Sequence, residues 1–551
     1  MHPSVAERLA KLAPDQRAAA AAPPGPVLVV APAGSGKTTT LVARVAWLVD
    51  RDTDPAGITL VAFNKRAAEE LVERLDAALA PLGASASGEG GVRVRTFHAL
   101  GREVLAEAGV DVAALADRDA VVRALWPDMP QADRGRLDLA FSRLKLDLRV
   151  DPRDVEADAA AGPVARAWAE YERALRDAGA LDFDDLVVRA LALLERDTAA
   201  LARWRARCAT LLVDEAQDLD RSQLDLALLL AGERRNVTLV GDDDQTVYGW
   251  RLADVRRILS LAASLPGLRR IDLETNYRCP PPVVQRAVRL VEQNEERFAK
   301  RVVAGPRNAG RLILAPDASD DVVRVARAMA SWPVDGSTRA VLARTNRELL
   351  VPVVVAVERG WPFRAPDIAL PVEDPRLDGL LARAETASAD HGGPLVALAR
   401  LRAECRAAEA ASPPANPDEP TEADLVTALL GWSAALPSLD ALRGAVEAFR
   451  ARLAELRRDD APLTLATAHG TKGLEWDHVV VLTDGFPGRR SIADAAEPER
   501  ALEEERRLAY VAWTRARRSL TLLFDPAAPS RFLLEAFDAE ELGLGAGRRA
   551  A

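Results

Sequence analysis

The sequence predicts an α/β protein, and three observations carry that reading. The apolar, β-branched run Val27–Val30 passes through a glycine-rich turn, Ala31-Pro32-Ala33-Gly34-Ser35-Gly36, into a helical pattern that opens at Lys37-Thr38-Thr39. Leu211-Leu212-Val213 is a second apolar strand and ends in adjacent carboxylates, Asp214 and Glu215. Val240-Gly241 is a third strand-to-loop run and leads into Asp242-Asp243-Asp244-Gln245.

The chain has 551 residues, enough for roughly three to five domains of about 100–200 residues each. Its 49% hydrophobic and 28% charged residues are those of an ordinary globular protein. The 3 cysteines, Cys208, Cys279 and Cys405, are too far apart for a disulfide framework or a four-cysteine metal site. None of the 5 histidines belongs to a Cys/His cluster, which argues against zinc catalysis. With 73 basic and 83 acidic residues, the net charge of −10 excludes a generally basic coat. It leaves room for a local basic channel, because the field depends on where the charges sit. The N-terminal stretch lacks an apolar leader core, and no run of about eighteen uncharged apolar residues occurs. The expectation is therefore a cytoplasmic protein without a signal peptide or membrane span.

The turn after Val30 has the strand–loop–helix context of a phosphate-binding loop, although Ala31 stands where the general pattern begins with glycine. Backbone N–H groups of residues 31–39 and the helix N-terminus can wrap a nucleotide's phosphates. Lys37 then reaches the β- and γ-phosphates, and Thr38 offers its hydroxyl to Mg²⁺. Hydrolysis needs one carboxylate for the metal shell and another to orient the attacking water. Asp214 suits the first task and Glu215 the second. These features predict binding and hydrolysis of a nucleoside triphosphate.

Further blocks follow in order: Thr246-Val247-Tyr248-Gly249-Trp250-Arg251, Leu273-Glu274-Thr275-Asn276-Tyr277-Arg278, Thr467-Ala468-His469-Gly470-Thr471-Lys472-Gly473-Leu474-Glu475-Trp476, and Glu503-Glu504-Glu505 running to Trp513-Thr514-Arg515. They resemble motifs III to VI of the UvrD/Rep/PcrA-type superfamily-one DNA helicases. Earlier blocks agree: Asp15-Gln16 resembles the adenine-reading Q motif, Val61–Ala68 motif Ia and Thr96–Gly101 motif Ib. Leu181–Leu186, Arg344-Thr345-Asn346 and Ser530-Arg531-Phe532-Leu533 also match family segments, so the resemblance runs from about residue 12 to 533.

The resemblance implies two RecA-like P-loop motor domains, parallel sheets with flanking helices, each carrying a mainly helical insert, with ATP in the cleft between them. Gln16 would bond the adenine edge, Tyr277 stack on it, and Glu475 lie near the ribose. Gln245 would sense the γ-phosphate, and Arg278 and Arg515 would reach it as arginine fingers, a device worth ~10³–10⁵ in rate. Single-stranded DNA is held by aromatic platforms and polar or basic contacts. By resemblance Phe63, Tyr248 and Trp250 are the candidate platforms. Asn64, Thr96, His98, Arg251, Arg344, Asn346 and His469 are candidate backbone contacts, and Phe97 belongs to the same track. The family's polar motif Ia residues change identity here to Asn64-Lys65-Arg66. Leu252 stands where the family commonly has glycine, which bears on the local turn.

The implied layout is a first motor domain at 1–101 and 178–272, a helical insert at 102–177, a second motor domain at 273–370 and 461–540, a short helical insert at 371–460, and a tail at 541–551. The second insert includes an acidic, proline-rich stretch, residues 411–420, that reads as a linker. No segment after Phe532 is long enough for a RecB-type nuclease domain, so a nuclease on this polypeptide is not expected. The main expectation is an ATP- and Mg²⁺-dependent helicase or translocase moving 3′-to-5′ on single-stranded DNA and at single/double-strand junctions, serving repair, replication or recombination and working with repair or recombination proteins. The alternative is a translocase subunit that unwinds only with a partner. A third reading, an ATP-gated DNA-binding module without hydrolysis, conflicts with the intact Lys37, Glu215, Gln245, Arg278 and Arg515. An RNA motor fits the DNA-directed motif set less well.

Overall fold

The computed structural model describes residues 1–306, 309–366, 368–388, 394–411, 421–434, 436–488, 492–493 and 495–544. The proline-rich stretch beyond residue 411 and the end of the tail lie outside the described residues. Two compact units emerge from the contacts. The first comprises 1–128, 136–309 and 494–514, and the second comprises 129–135, 310–493 and 515–551.

The first unit is built on six strands: β1 (Val27–Val30), β2 (Ile58–Ala62), β3 (Arg93–Thr96), β4 (Thr210–Val213), β5 (Val237–Gly241) and β6 (Arg269–Asp272). They line up in the order β3-β2-β4-β5-β1-β6, and every pairing is parallel. Strands buried on both faces must be apolar throughout, which explains runs such as Val27-Leu28-Val29-Val30 and Leu211-Leu212-Val213. Successive side chains alternate between two cores. Val27, Val29, Leu60 and Leu212 pack with Leu41 and Val45 on one face. Leu28, Val30, Val61, Leu211 and Val213 pack with Leu100, Leu191 and Trp204 on the other. A short parallel pair, β7 (Thr275–Asn276) with β8 (Val303–Ala304), belongs to the same unit.

The second unit repeats the plan. Its strands are β9 (Arg311–Pro316), β10 (Arg339–Ala343), β11 (Phe363–Arg364), β12 (Leu463–Thr467), β13 (Trp476–Leu482) and β14 (Ala516–Phe524). Their order is β11-β12-β10-β13-β14-β9, again wholly parallel. Between β11 and β12 the chain forms the helices Arg376–Ser388, Pro394–Ala411, Glu422–Ser433 and Leu439–Leu456. Leu377, Leu398, Leu425 and Leu442 of these helices belong to the same hydrophobic core as Val341, Val353, Leu465 and Val480 around the sheet. Among the described residues, the inserted helices therefore share the sheet's core.

The helices Arg118–Leu125, Gln131–Ser142 and Pro163–Asp177 fall within the Arg-rich segment 102–177. A buried ionic network fastens this segment to the run Asp182–Asp185. Lys145 Nζ lies 2.7 Å from Glu172, 3.0 Å from Asp182 and 3.0 Å from Asp185. Arg118 bonds Asp182 and Asp184 at 2.8 and 2.6 Å, and the Tyr171 hydroxyl donates to Asp182 at 2.9 Å. Between them Lys145 and Arg118 hold the Asp182 carboxyl well below the usual carboxylate range in spite of its burial.

Candidate functional site

Because all strands of the first sheet are parallel, their carboxyl ends share one edge, which is where α/β sheets place ligand-binding loops. Val30 is level with Gly241 and Asp272, and Ala62 with Thr96. The loops carrying residues 31–39, 63–64, 96–98, 214–218 and 242–251 thus emerge side by side.

The loop after β1 is tied down by Ala31 N donating to Gly241 O (2.8 Å) and Ser35 N to Pro32 O (3.1 Å). Ala31, Pro32 and Ala33 are buried under it. Gly34 has φ +68°, and a Cβ there would come within 2.7 Å of Asn276 Oδ1 and Arg278 Cβ. A glycine is therefore required both for the left-handed backbone and for the close approach. Lys37, Thr38 and Thr39 open the helix Lys37–Asp50. Gln16 braces the loop from below, its Nε2 donating to Ser35 O (2.8 Å) while its Oε1 accepts from Ala13 N (3.1 Å). The buried Ser35 hydroxyl has no hydrogen-bond partner. An unused donor beside exposed helix N–H groups suits an anionic phosphate.

Lys37 Nζ lies 3.1 Å from Glu215 Oε2, and Gln217 Nε2 donates to the same oxygen at 2.7 Å. Glu215 itself adopts φ 50° and ψ 45°, a left-handed conformation that costs a non-glycine residue of the order of 1–2 kcal/mol. Asp214, largely buried, accepts from Glu215 N at 3.0 Å. Gln217 Oε1 accepts from Asp242 N at 3.0 Å, joining the loop after β4 to the loop after β5. Among the described residues no group of three or more His, Cys, Asp or Glu is arranged to hold a metal ion. Thr38 and Asp214 would hold Mg²⁺ together with nucleotide phosphates, as that cation commonly binds.

Beside the loop, Tyr277 N donates to Gly34 O at 2.8 Å, and Asn276 Oδ1 accepts from the backbone of both Arg278 and Cys279 at 2.8 Å. Tyr277 is 44% exposed. It faces a pocket of about 530 Å³ also lined by Gln16, Gly36, Thr39, Leu12, Arg8 and Lys11. Half-buried Arg278 donates to Thr514 O at 3.2 Å.

The other half of the edge holds rings. Phe63 stacks on Tyr248 with centroids 5.2 Å apart, and Tyr248 meets Trp250 edge-on at 6.1 Å. Trp250 is 51% exposed, and the Arg251 guanidinium lies 4.6 Å above its ring. The His98 ring stacks on Phe183 at 3.9 Å. Burial pushes its pKa down to about 4, with Asp184 and Arg251 acting in opposite directions. Asn64 and Thr96 cap the helices Lys65–Leu79 and Phe97–Glu107 through their side-chain oxygens. Phe97 is only 4% exposed and packs in the core, where it supports Thr96 and His98 and presents no ring for stacking.

The second unit carries the remaining predicted residues at two opposite edges of its sheet. Arg344 and Asn346 follow β10, and His469 follows β12, at the carboxyl ends. Glu475 and Arg515 immediately precede β13 and β14, at the amino ends, with Trp476 N donating to Arg515 O at 3.0 Å. Arg515 is 1% exposed and donates to Leu474 O at 3.2 Å. Glu475 pairs with Arg517 at 2.8 Å.

Sequence reasoning missed the residues that hold the loop after β5. Lys300, its side chain 1% exposed, sits 2.6, 2.5 and 2.9 Å from Asp242, Asp243 and Asp244. Arg297 makes two bonds to Asp244, at 3.1 and 2.9 Å. Gln245, next in the chain, donates to Asp242 Oδ2 at 2.6 Å. Three consecutive aspartates after an apolar strand are a signal that buried cations are needed. Nothing local says that residues 297 and 300 supply them.

A glycine-bearing phosphate loop after β1, carboxylates after β4 and a second all-parallel six-stranded sheet define a two-sheet, RecA-like P-loop protein. The UvrD/REP helicase N-terminal domain model matches residues 12–266, and the UvrD-like helicase C-terminal domain model matches residues 447–525. The chain belongs to the UvrD/REP helicase family. It is 31% identical over 371 residues to DNA helicase II of Salmonella typhimurium and to DNA helicase II of Escherichia coli, covering 63% of this chain and 50% of each relative. It is 30% identical over 360 residues to the ATP-dependent DNA helicase PcrA of Staphylococcus aureus, covering 62% of this chain and 48% of that protein. The chain spans about half the length of the curated relatives it matches. Among the described residues, no helix is long and apolar enough to cross a membrane.

Proposed function

We propose that the chain is an ATP- and Mg²⁺-dependent motor that travels 3′-to-5′ along single-stranded DNA and couples hydrolysis to strand separation, in the cytoplasm and alongside repair or recombination proteins. One observation carries the reading. A single loop after β5 starts at Asp242 and Gln245, bonded to the carboxylate loop through Gln217, and six residues on from Gln217's partner Asp242 presents Tyr248 to Phe63. A change at the phosphates thus has a short, bonded path to the base platforms. Lys37, Gly34–Thr39, Gln16 and Tyr277 take the nucleotide, and Thr38 and Asp214 the metal. Glu215 orients the attacking water, while Gln245, Arg278 and Arg515 respond to the γ-phosphate. Held by Thr38 and Asp214, such a cation would supply charge neutralisation at the phosphates. Direction of travel and the role of Arg515 rest on the family resemblance. Named helicases among the relatives support DNA as the track.

The test is steady-state ATP hydrolysis with and without single-stranded DNA, for wild type and Glu215→Gln. Strong stimulation by DNA, abolished by the substitution, is the expected result; brisk hydrolysis indifferent to DNA overturns the reading.

A second reading is favoured by the shared core of the second unit. Among the described residues, the helices between β11 and β12 pack into the sheet's own core, which ties them to the motor fold and not to a free arm that would engage a duplex. This supports a translocase whose strand separation is weak or depends on a partner. Translocation by the isolated chain without unwinding would distinguish it from the first.

A further inference from the structure

The three glutamates that open motif VI, Glu503-Glu504-Glu505, are not among the nucleotide-site residues proposed above, yet two of them bond to segments that frame the loop after β5. The helix Pro498–Trp513 that carries them lies within the first unit. Glu503 accepts from Glu295 N at 2.7 Å, and its backbone carbonyl accepts from Asn294 Nδ2 at 3.1 Å. Arg506 and Arg507 of the same helix donate to Asn294 Oδ1 (3.1 Å) and Glu296 O (2.6 Å). The segment so gripped continues to Arg297 and Lys300, which clamp Asp242–Asp244 at the start of the loop. At the loop's far end Glu504 Oε1 accepts from Gly249 N at 2.9 Å. A Cβ at Gly249 would meet both Glu504 carboxylate oxygens at 2.6 Å, so the carboxylate lies flat against that backbone. Just past the helix, Thr514 O accepts from Arg278 and Cys279. The helix and its cap Thr514 therefore touch the segment bearing Arg278, the segment that clamps the base of the loop before Gln245, and the residue before Trp250.

From this geometry we infer that Glu504 is a positioning residue that couples the nucleotide side to the DNA platform: through Gly249 it fixes where Tyr248 and Trp250 stand whenever the helix shifts with Arg278. The inference rests on the motor reading above and extends it to a residue that touches neither nucleotide nor DNA. A hydrogen-bond acceptor, and not a charge, is what the contact requires, so glutamine serves in its place and alanine does not.

The experiment is ATP hydrolysis against oligo(dT) concentration at saturating ATP for wild type, Glu504→Ala, Glu504→Gln and Gly249→Ala. Glu504→Ala is expected to keep the DNA-free rate and the KM for ATP while losing about fivefold or more of the DNA stimulation, the usual span of a coupling effect. Glu504→Gln should restore it. Gly249→Ala displaces the same carboxylate from the other side, and its effect should not add to that of Glu504→Ala. If Glu504→Ala does not fold, the glutamine and Gly249→Ala variants carry the test alone. A wild type that DNA does not stimulate overturns the motor reading itself. A stimulated wild type with equally stimulated Glu504→Ala or Gly249→Ala, or with Glu504→Gln as impaired as alanine, overturns only the coupling role.

Discussion

Lys37 Nζ and Glu215 Oε2 face each other at 3.1 Å across the phosphate loop, with both side chains largely shielded from solvent. Lysine neutralises the carboxylate here, and in the proposed nucleotide complex phosphate oxygens would compete for the same ammonium. Glu215 holds a strained left-handed backbone at φ 50° to reach this position, a cost that persists where function selects the geometry. Replacing it by glutamine keeps the shape and removes the proposed base. The expected loss in ATP turnover is about 10²–10⁴-fold, the range for a positioned general base. Nucleotide affinity, read by fluorescence of a labelled analogue, should not weaken, because the loop contacts survive.

Trp250 projects half its surface to solvent from the end of the Phe63–Tyr248–Trp250 ladder. A core tryptophan would be hidden. Trp250→Ala should weaken binding of oligo(dT) by about 1–3 kcal/mol per stacked base lost. Fluorescence anisotropy at fixed salt would measure this, and the affinity for ATP in the absence of DNA should be unmoved.

Leu252 has φ 67° and ψ 14° at the position where the family commonly has glycine. The backbone keeps the turn and the side chain bears the strain. Leu252→Gly should stabilise the fold by about 0.5–1 kcal/mol, since relief of left-handed strain exceeds glycine's entropic cost by that margin. A β-branched Leu252→Val should destabilise it, being still less compatible with positive φ. Denaturant titration would rank the three.

The residues legible in the sequence are those whose neighbours lie beside them in the chain. Lys37 after a glycine turn, Asp214 and Glu215 after an apolar strand and Gln245 after Asp244 announce themselves, and the structure groups them at one sheet edge. Partners distant in sequence were not legible. Lys145 reads as one more cation of an Arg-rich helical segment, but it is buried against Asp182 and Asp185, some forty positions on. Lys300, between Ala299 and Arg301, looks like a solvated charge. Phe97 shows the converse, since an aromatic inside a block that resembles a DNA-binding motif can face the core.

His98 supplies a pH signature. Burial lowers its folded pKa to about 4, while an unfolded histidine titrates near 6.5. Between those values the unfolded chain binds the extra proton, so this group makes stability fall as pH drops from 6.5 towards 4, and contributes no slope above that window. Asp184 and Arg251 are the charges facing it, Asp184 raising the pKa and Arg251 lowering it. Urea midpoints at pH 7.5 and pH 5 should differ less in His98→Gln than in wild type.

Lys300 is the strictest test of the packing. Its ammonium has three protons, and three carboxylates converge on it at 2.6, 2.5 and 2.9 Å in a site closed to solvent. The carboxylates push its pKa well above the usual lysine range in spite of complete burial. Removing the ammonium leaves Asp242 and Asp243 without it and Asp244 with Arg297. Breaking a buried ionic cluster from one side costs about 3–5 kcal/mol, so Lys300→Met should lower the Tm sharply in calorimetry. Arginine does not mend this, because a planar fork cannot reproduce a tetrahedral set of donors in a filled space. Lys300→Arg should therefore melt nearer to Lys300→Met than to wild type. An arginine variant as stable as wild type would mean that charge alone holds the loop after β5, and that the directions of the three bonds do not matter.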